Sequence, residues 1–433
     1  VARLAAAVLV GATATLPFGP PSASAGPAAS FGGSFAAVPL PVTGDEVRDE
    51  QWSLTELGMA EAWQRSTGAG VTVAVIDSGV DDTHADLAGR VRSGFDLVTT
   101  GGDGTTDPVG HGTTVAALIA GVPDQSGIIG MAPDAQILPI RVLDKQNRYD
   151  DAQVVAKAVR LAVDNGAKVI NLSLGGLGSS PALATAIDYA FVKDVVVIAC
   201  TGNSTASAPS EVWYPAREPG VIAVTGLEEN GTSLWSGSIT GPETVLSAPA
   251  TDLIGARPGG YWRVQGTSFA APMVAATAAL IRARWPQMSA ASVVNRLIGT
   301  ATDLGAPGRD DRYGFGMVNP VAALADGLPE ASYNVLDNEQ PPGDVGFGFA
   351  PGAGRDSRAE SGDASKAPGN GVEGRPGGAA QPAPAEAAPT APRGRGLLGV
   401  LIGGSAVLIV IAILYFVTLH RLPRLRPSGR RGP

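Results

Sequence analysis

The sequence predicts an α/β fold with a mainly parallel central sheet and helices on both faces, and two patterns carry that prediction. Short β-branched runs, apolar on both faces, recur through the middle of the chain, as the strands of a buried parallel sheet do. Stretches of helical periodicity lie between them, so that strand and helix alternate. An apolar fraction of 44% over 433 residues is enough to fill the core of such a fold.

The first expected core strand is Val71–Ile76, followed by Gln136–Ile140, Lys168–Leu172, Val195–Ile198 and Val221–Val224. Ala152–Val163 is apolar at 154, 155, 158, 159 and 162 and stops at Asn165-Gly166, which is a helix with its stop signal. Ala182–Val192 follows Pro181, a residue suited to a first helical turn. His111 opens a further helix in Gly110-His111-Gly112, and Ser268 stands at the head of an alanine-rich helix reaching Trp285. Pro272 is expected in the first turn of that helix, where the N–H groups lack intrahelical acceptors.

The two ends read as addresses. Residues 1–25 carry Arg3, an apolar run and Ala23-Ser24-Ala25, the order of a secretory signal peptide. Residues 26–50 form an N-terminal extension, 51–326 one globular domain, and 327–396 a Pro/Gly/Ala-rich flexible linker. The uncharged stretch 397–419 would reach about 34 Å as a helix, matching a hydrocarbon core of about 30 Å, and reads as a single transmembrane helix. The tail 420–433 carries Arg421, Arg424, Arg426, Arg430 and Arg431, so the positive-inside rule expects a cytoplasmic C-terminus and an extracytoplasmic domain.

Composition excludes other classes. A net charge of −9 with only 16% charged residues offers no basic surface for nucleic acid. The single cysteine, Cys200, can form neither an intramolecular disulfide nor a cysteine metal site, and is expected to be a small buried apolar residue closing Val195–Ala199. No D-x-D-x-D run is present, and neither a metal nor a cofactor is expected.

Ligands of open α/β sheets bind beyond the carboxyl ends of the strands. Asp77 stands at the end of the first strand, His111 at a helix start, and Ser268 at a helix start whose free N–H groups suit an anion. A hydroxyl, an imidazole and a carboxylate together have the chemistry of a nucleophilic hydrolase: one attacks, one takes the proton, one fixes the tautomer. Asn203, in Thr201-Gly202-Asn203 after a strand, could form an oxyanion hole with the Ser268 backbone N–H. The chain order Asp, His, Ser is that of subtilisin.

The segments around Asp77, His111, Asn203 and Ser268 agree in order and spacing, and the chain resembles the subtilisin-like serine peptidases over about residues 50–325. That resemblance implies a three-layer fold, peptide-bond hydrolysis and protein or peptide substrates. It implies that Ser173, Leu174, Gly175 and Gly176 pair with the substrate backbone and wall the S1 pocket, and that Trp213, just before Tyr214-Pro215, lies at the base of S1. The bulk of Trp213 is then expected to favour small P1 residues. The other histidine outside the tail, His84, sits in Asp82-Thr83-His84-Ala85-Asp86-Leu87, which resembles a structural stretch of the family. With a short N-terminal extension, a tether, one span and a basic tail, the chain is most similar to the mycosins, membrane-anchored peptidases of type VII secretion systems. The extension is expected to be too short for an inhibitory pro-domain, and secretion-system membrane components become expected partners. Two alternatives remain open: a scaffold that stabilises the channel with dispensable proteolysis, and a broad-specificity extracellular protease.

Overall fold

The computed structural model describes residues 38–40 and 44–337, apart from 125, 150 and 205–209. The expected signal peptide at 1–25, the transmembrane helix at 397–419 and the basic tail lie outside the described residues. Among the described residues no helix is long and apolar enough to cross a membrane.

Seven strands make the central sheet: β2 (Thr72–Asp77), β3 (Phe95–Asp96), β4 (Gln136–Arg141), β5 (Val169–Leu172), β6 (Val196–Cys200), β7 (Ile222–Leu227) and β8 (Leu246–Pro249). Their spatial order is β3-β4-β2-β5-β6-β7-β8, and every neighbouring pair is parallel. The five expected strands, β2, β4, β5, β6 and β7, stop within three residues of the expected positions, whereas β3 and β8 were not anticipated; β2, β5, β6, β7 and β8 are almost wholly buried, as two covered faces require. A small antiparallel sheet joins β1 (Val38–Leu40), β10 (Gly260–Val264) and β9 (Leu253–Arg257) in the order β1-β10-β9.

The larger helices are α4 (His111–Ala120), α5 (Ala152–Asp164), α6 (Pro181–Val192), α7 (Thr267–Arg284) and α8 (Ala290–Gly299), with short helices α1 (Gly44–Asp49), α2 (Trp52–Glu56), α3 (Met59–Ala62) and α9 (Pro320–Ala323). From β2 the chain crosses to the edge strand β3 and returns through α4 to β4, and the paths through α5 and α6 continue in that direction to β5 and β6. The helices form two packed groups that cover the sheet: α4 lies on α7, α5 on α6, and both pairs on the sheet. The chain leaves β2 towards the β3 edge and β5 towards the β8 edge, and these strands are neighbours, so a crevice opens between their carboxyl ends.

Helix α7 is buried from Thr267 to Arg282 and runs against β5, β6, β7 and β8. Its alanines make it thin enough to sit there, and a helix apolar all round belongs in a core. Pro272 corrects an expectation: the helix starts at Thr267, directly after Gly266, so the proline is its sixth residue and lies inside the helix. An interior proline leaves the carbonyl four residues earlier without its N–H. That carbonyl belongs to Ser268, and the Ser173 hydroxyl donates to it at 2.6 Å.

The described unit extends beyond 51–326 at both ends. Strand β1 pairs with β10, and Ala331, Asn334 and Leu336 hydrogen-bond to Ser292 and Gly220.

Candidate active site

Asp77 is the last residue of β2 and has no solvent exposure. Its Oδ1 accepts the Ser78 backbone N–H at 2.7 Å and lies 2.7 Å from His111 Nδ1. A carboxylate at that distance requires the proton on Nδ1, which leaves Nε2 as the basic nitrogen of the ring. Close approach of strand and helix depends on two glycines. A Cβ on Gly112 would fall 2.0 Å from the Gly79 carbonyl oxygen, and Gly79, at φ +105°, would clash with the Thr106 carbonyl.

The start of α4 is fixed by Asp107, which the sequence reading did not single out. Its Oδ1 accepts from Ser78 Oγ, Val109 N–H and Gly110 N–H, and its Oδ2 from the Thr113 N–H and hydroxyl, all at 2.7–3.0 Å. Helix α4 has no side-chain cap of its own because Gly110 precedes it, and this buried carboxylate caps it from outside. Ser78 Oγ in turn accepts the Gly112 N–H at 3.0 Å. The backbone on either side of His111 is therefore fixed beside Asp77 by this lattice.

Ser268, also fully buried, is the second residue of α7, and the ring of Phe269 packs 5.2 Å from the His111 ring, centroid to centroid. Asn203 Oδ1 accepts the Thr267 N–H at 3.0 Å and the Thr267 hydroxyl at 2.9 Å. Because an N–H can only donate, the amide is oriented and Nδ2 is left as the donor beside the head of α7. Cys200 is buried as expected, but its role is wider than filling space. Its Sγ receives the Ser268 hydroxyl at 3.9 Å and faces the Leu174 carbonyl at 4.0 Å. Burial pushes the thiol up to about 11.

The segment Ser173–Gly176 leaves β5 beside this cluster. Gly176 and Tyr214 exchange backbone hydrogen bonds at 2.9 and 2.7 Å. Trp213, 7% exposed, sets its indole between two glycines: a Cβ on Gly202 would lie 2.4 Å from the ring, and one on Gly175 3.0 Å from the Trp213 Cβ. His84 stands apart, its Nδ1 accepting the Asp86 N–H at 3.2 Å at the head of the 3-10 turn Ala85–Leu87. Among the described residues no group of three His, Cys, Asp or Glu is arranged to hold a metal.

The model of the Subtilase family matches residues 68–316, a span that includes Asp77, His111, Asn203 and Ser268. Subtilisin DY of Bacillus licheniformis is 38% identical over 258 residues, covering 59% of this chain and 91% of that protein. Fervidolysin of Fervidobacterium pennivorans is 37% identical over 317 residues, 66% of this chain, which spans only 45% of fervidolysin. Among solved structures, the MycP3 protease from the type VII (ESX-3) secretion system superposes with a TM-score of 0.61 at 32% identity, over 71% of this chain and 97% of that one.

Proposed function

The chain belongs to the subtilase family of serine peptidases, and from that premise we propose that it is a membrane-tethered endopeptidase whose triad is Asp77, His111 and Ser268. The observation that carries the triad is the 2.7 Å contact between His111 Nδ1 and Asp77 Oδ1, made in full burial beside the head of α7. Ser268 Oγ attacks the scissile carbonyl while His111 Nε2 takes its proton. The tetrahedral oxyanion receives hydrogen bonds from Asn203 Nδ2 and the Ser268 backbone N–H. Collapse passes the proton to the leaving amine, and water then releases the acyl group by the same route in reverse.

Ser173 to Gly176 pair with the substrate backbone, and Trp213 closes S1 from below, so the preferred P1 residue is small. Peptide-library cleavage dominated by alanine-sized P1 residues is the expected result, and Trp213→Gly shifts it towards large apolar ones. Cleavage after aromatic residues by the unaltered protein refutes this assignment.

Residues 397–419 anchor the peptidase to a membrane with its domain outside, where it processes exported proteins at a type VII secretion system. Support comes from the uncharged run followed by five arginines and from the likeness to MycP3. The first test is covalent labelling by a fluorophosphonate, read by intact mass. The unaltered protein gains one adduct and Ser268→Ala none; no adduct on folded protein overturns the triad. Restored secretion by Ser268→Ala in a complementation test assigns the required role to scaffolding instead.

A further inference from the structure

The described chain opens with a strap, residues 38–40 and 44–50, laid against the domain. Strand β1 pairs with β10, Arg263 of β10 bridges Glu50 and Asp252, and α1 carries Arg48 to the loop between α4 and β4. There the Arg48 guanidinium donates from Nε to the Gly127 carbonyl at 3.2 Å and from Nη1 to the Asp124 carbonyl. Its Nη2 donates to the Ser126 carbonyl at 2.8 Å and to Asp124 Oδ1 at 3.3 Å. Three backbone carbonyls and a carboxylate turned towards one point are the donor set of a hard cation.

The loop is held as tightly behind this point. Asp86 accepts the Ile128 N–H at 2.7 Å and the Tyr261 hydroxyl at 2.9 Å. A Cβ on Gly127 would fall 2.2 Å from the Asp86 carboxylate. Gln51, at the end of the strap, donates to the Ile129 carbonyl at 3.0 Å and accepts the Ile129 N–H at 2.9 Å.

We propose that Arg48 is a resident cation, doing for the loop that carries Asp124, Ser126 and Gly127 what a bound metal ion would do, and that through this loop it positions the helix bearing His111. The last carbonyls of α4 have no intrahelical donors. Those of Leu118 and Ile119 receive the N–H groups of Met131 and Ala132 at 3.0 and 2.7 Å, and these residues are the continuation of the loop. A guanidinium suits the task because its fork addresses several acceptors in fixed directions and never loses its charge. Being covalently attached, it cannot be chelated away. Without it, carbonyl dipoles and the Asp124 carboxylate point at each other across an uncompensated gap, and a divalent ion becomes the natural replacement.

The test uses the full-length protein, with Arg48→Ala and Arg48→Lys, melted in a chelator and in millimolar calcium. The unaltered protein is expected to melt alike in both. Arg48→Ala melts about 3–8 °C lower in the chelator and recovers most of that loss with calcium. Its kcat, lowered with little change in KM, recovers in the same calcium range, which a merely structural contact would not produce. Arg48→Lys, which keeps the charge and loses the fork, falls between them. Arg48→Ala melting normally in the chelator overturns the proposal, as does a lowered melting point that calcium leaves unmoved. If Arg48→Ala does not fold in the chelator, Arg48→Lys carries the same comparison. The melting readout does not depend on the triad, so its failure and that of the peptidase assignment are separable.

Discussion

The crevice at the carboxyl ends of β2, β5 and β6 is held by fully buried hydrogen bonds, whereas the strap that carries β1 and α1 is held by guanidinium groups at a half-exposed surface. In the crevice, Asp107, Ser78, Thr113, Ser173 and Asn203 are each buried and each donate or accept within a closed set. In the strap, Arg48 and Arg263 retain 23% and 37% side-chain exposure. Buried polar groups left without partners are costly, while exposed ion pairs contribute little and weaken in salt. The first region should therefore fail abruptly when one member is removed, and the second gradually as ionic strength rises.

The largest effect is expected at Asn203. Asn203→Ala removes the oriented Nδ2 donor, so kcat should fall roughly 100- to 1,000-fold with little change in KM. An equal loss in KM would mean that the amide serves substrate binding. Next comes Ser173→Ala, which strands the Ser268 carbonyl that Pro272 cannot serve; urea unfolding should register a loss of about 1–3 kcal/mol. A smaller loss would mean that the crevice tolerates an open acceptor.

Cys200 gives a pH test. Its thiol, near 9 ordinarily and about 11 in the folded protein, stays protonated after the unfolded chain has ionised. The unfolded state then binds fewer protons, so this group's stabilisation, complete below pH 8, declines as pH rises towards 11. Relative to Cys200→Ala, the unaltered protein should lose stability, on the order of 1 kcal/mol, between pH 7.5 and pH 10 in paired denaturant melts. Equal slopes would place the thiol in contact with solvent. The smallest effect belongs to the strap: molar salt should cost it less than about 1 kcal/mol, seen as faster hydrogen exchange at Leu40 and Tyr261 while β5 and β6 stay protected.

The same contrast explains what the sequence made legible. Asp77, His111, Asn203 and Ser268 each sit at the end of a strand or the start of a helix, and such boundaries are marked locally by glycine and by a change of hydrophobic period. Five strands of the central sheet were legible for the same reason, whereas the two-residue β3 and the edge strand β8 carry too short an apolar run to stand out. Asp107 was not, because a carboxylate that caps a neighbouring helix looks like any turn residue. Ser173 was read as part of a substrate edge, but its bond to Ser268 joins residues 95 positions apart and follows from Pro272 standing one turn deeper than expected. Arg48 is 76–79 positions from the oxygens it holds, and no local pattern announces such a partner. Cys200 was correctly read as buried, yet its contact with Ser268 depends on α7 crossing beneath β6.

The pairing of Val38–Leu40 with Tyr261–Arg263 also sets an order in time. A chain made from its N-terminus presents β1 before the other described strands, but β1 has no edge to join until β10 emerges more than 200 residues later. The earliest described strand is thus among the last to be placed, and its docking reports that everything between, including the residues of the crevice up to Gln265, has already been delivered.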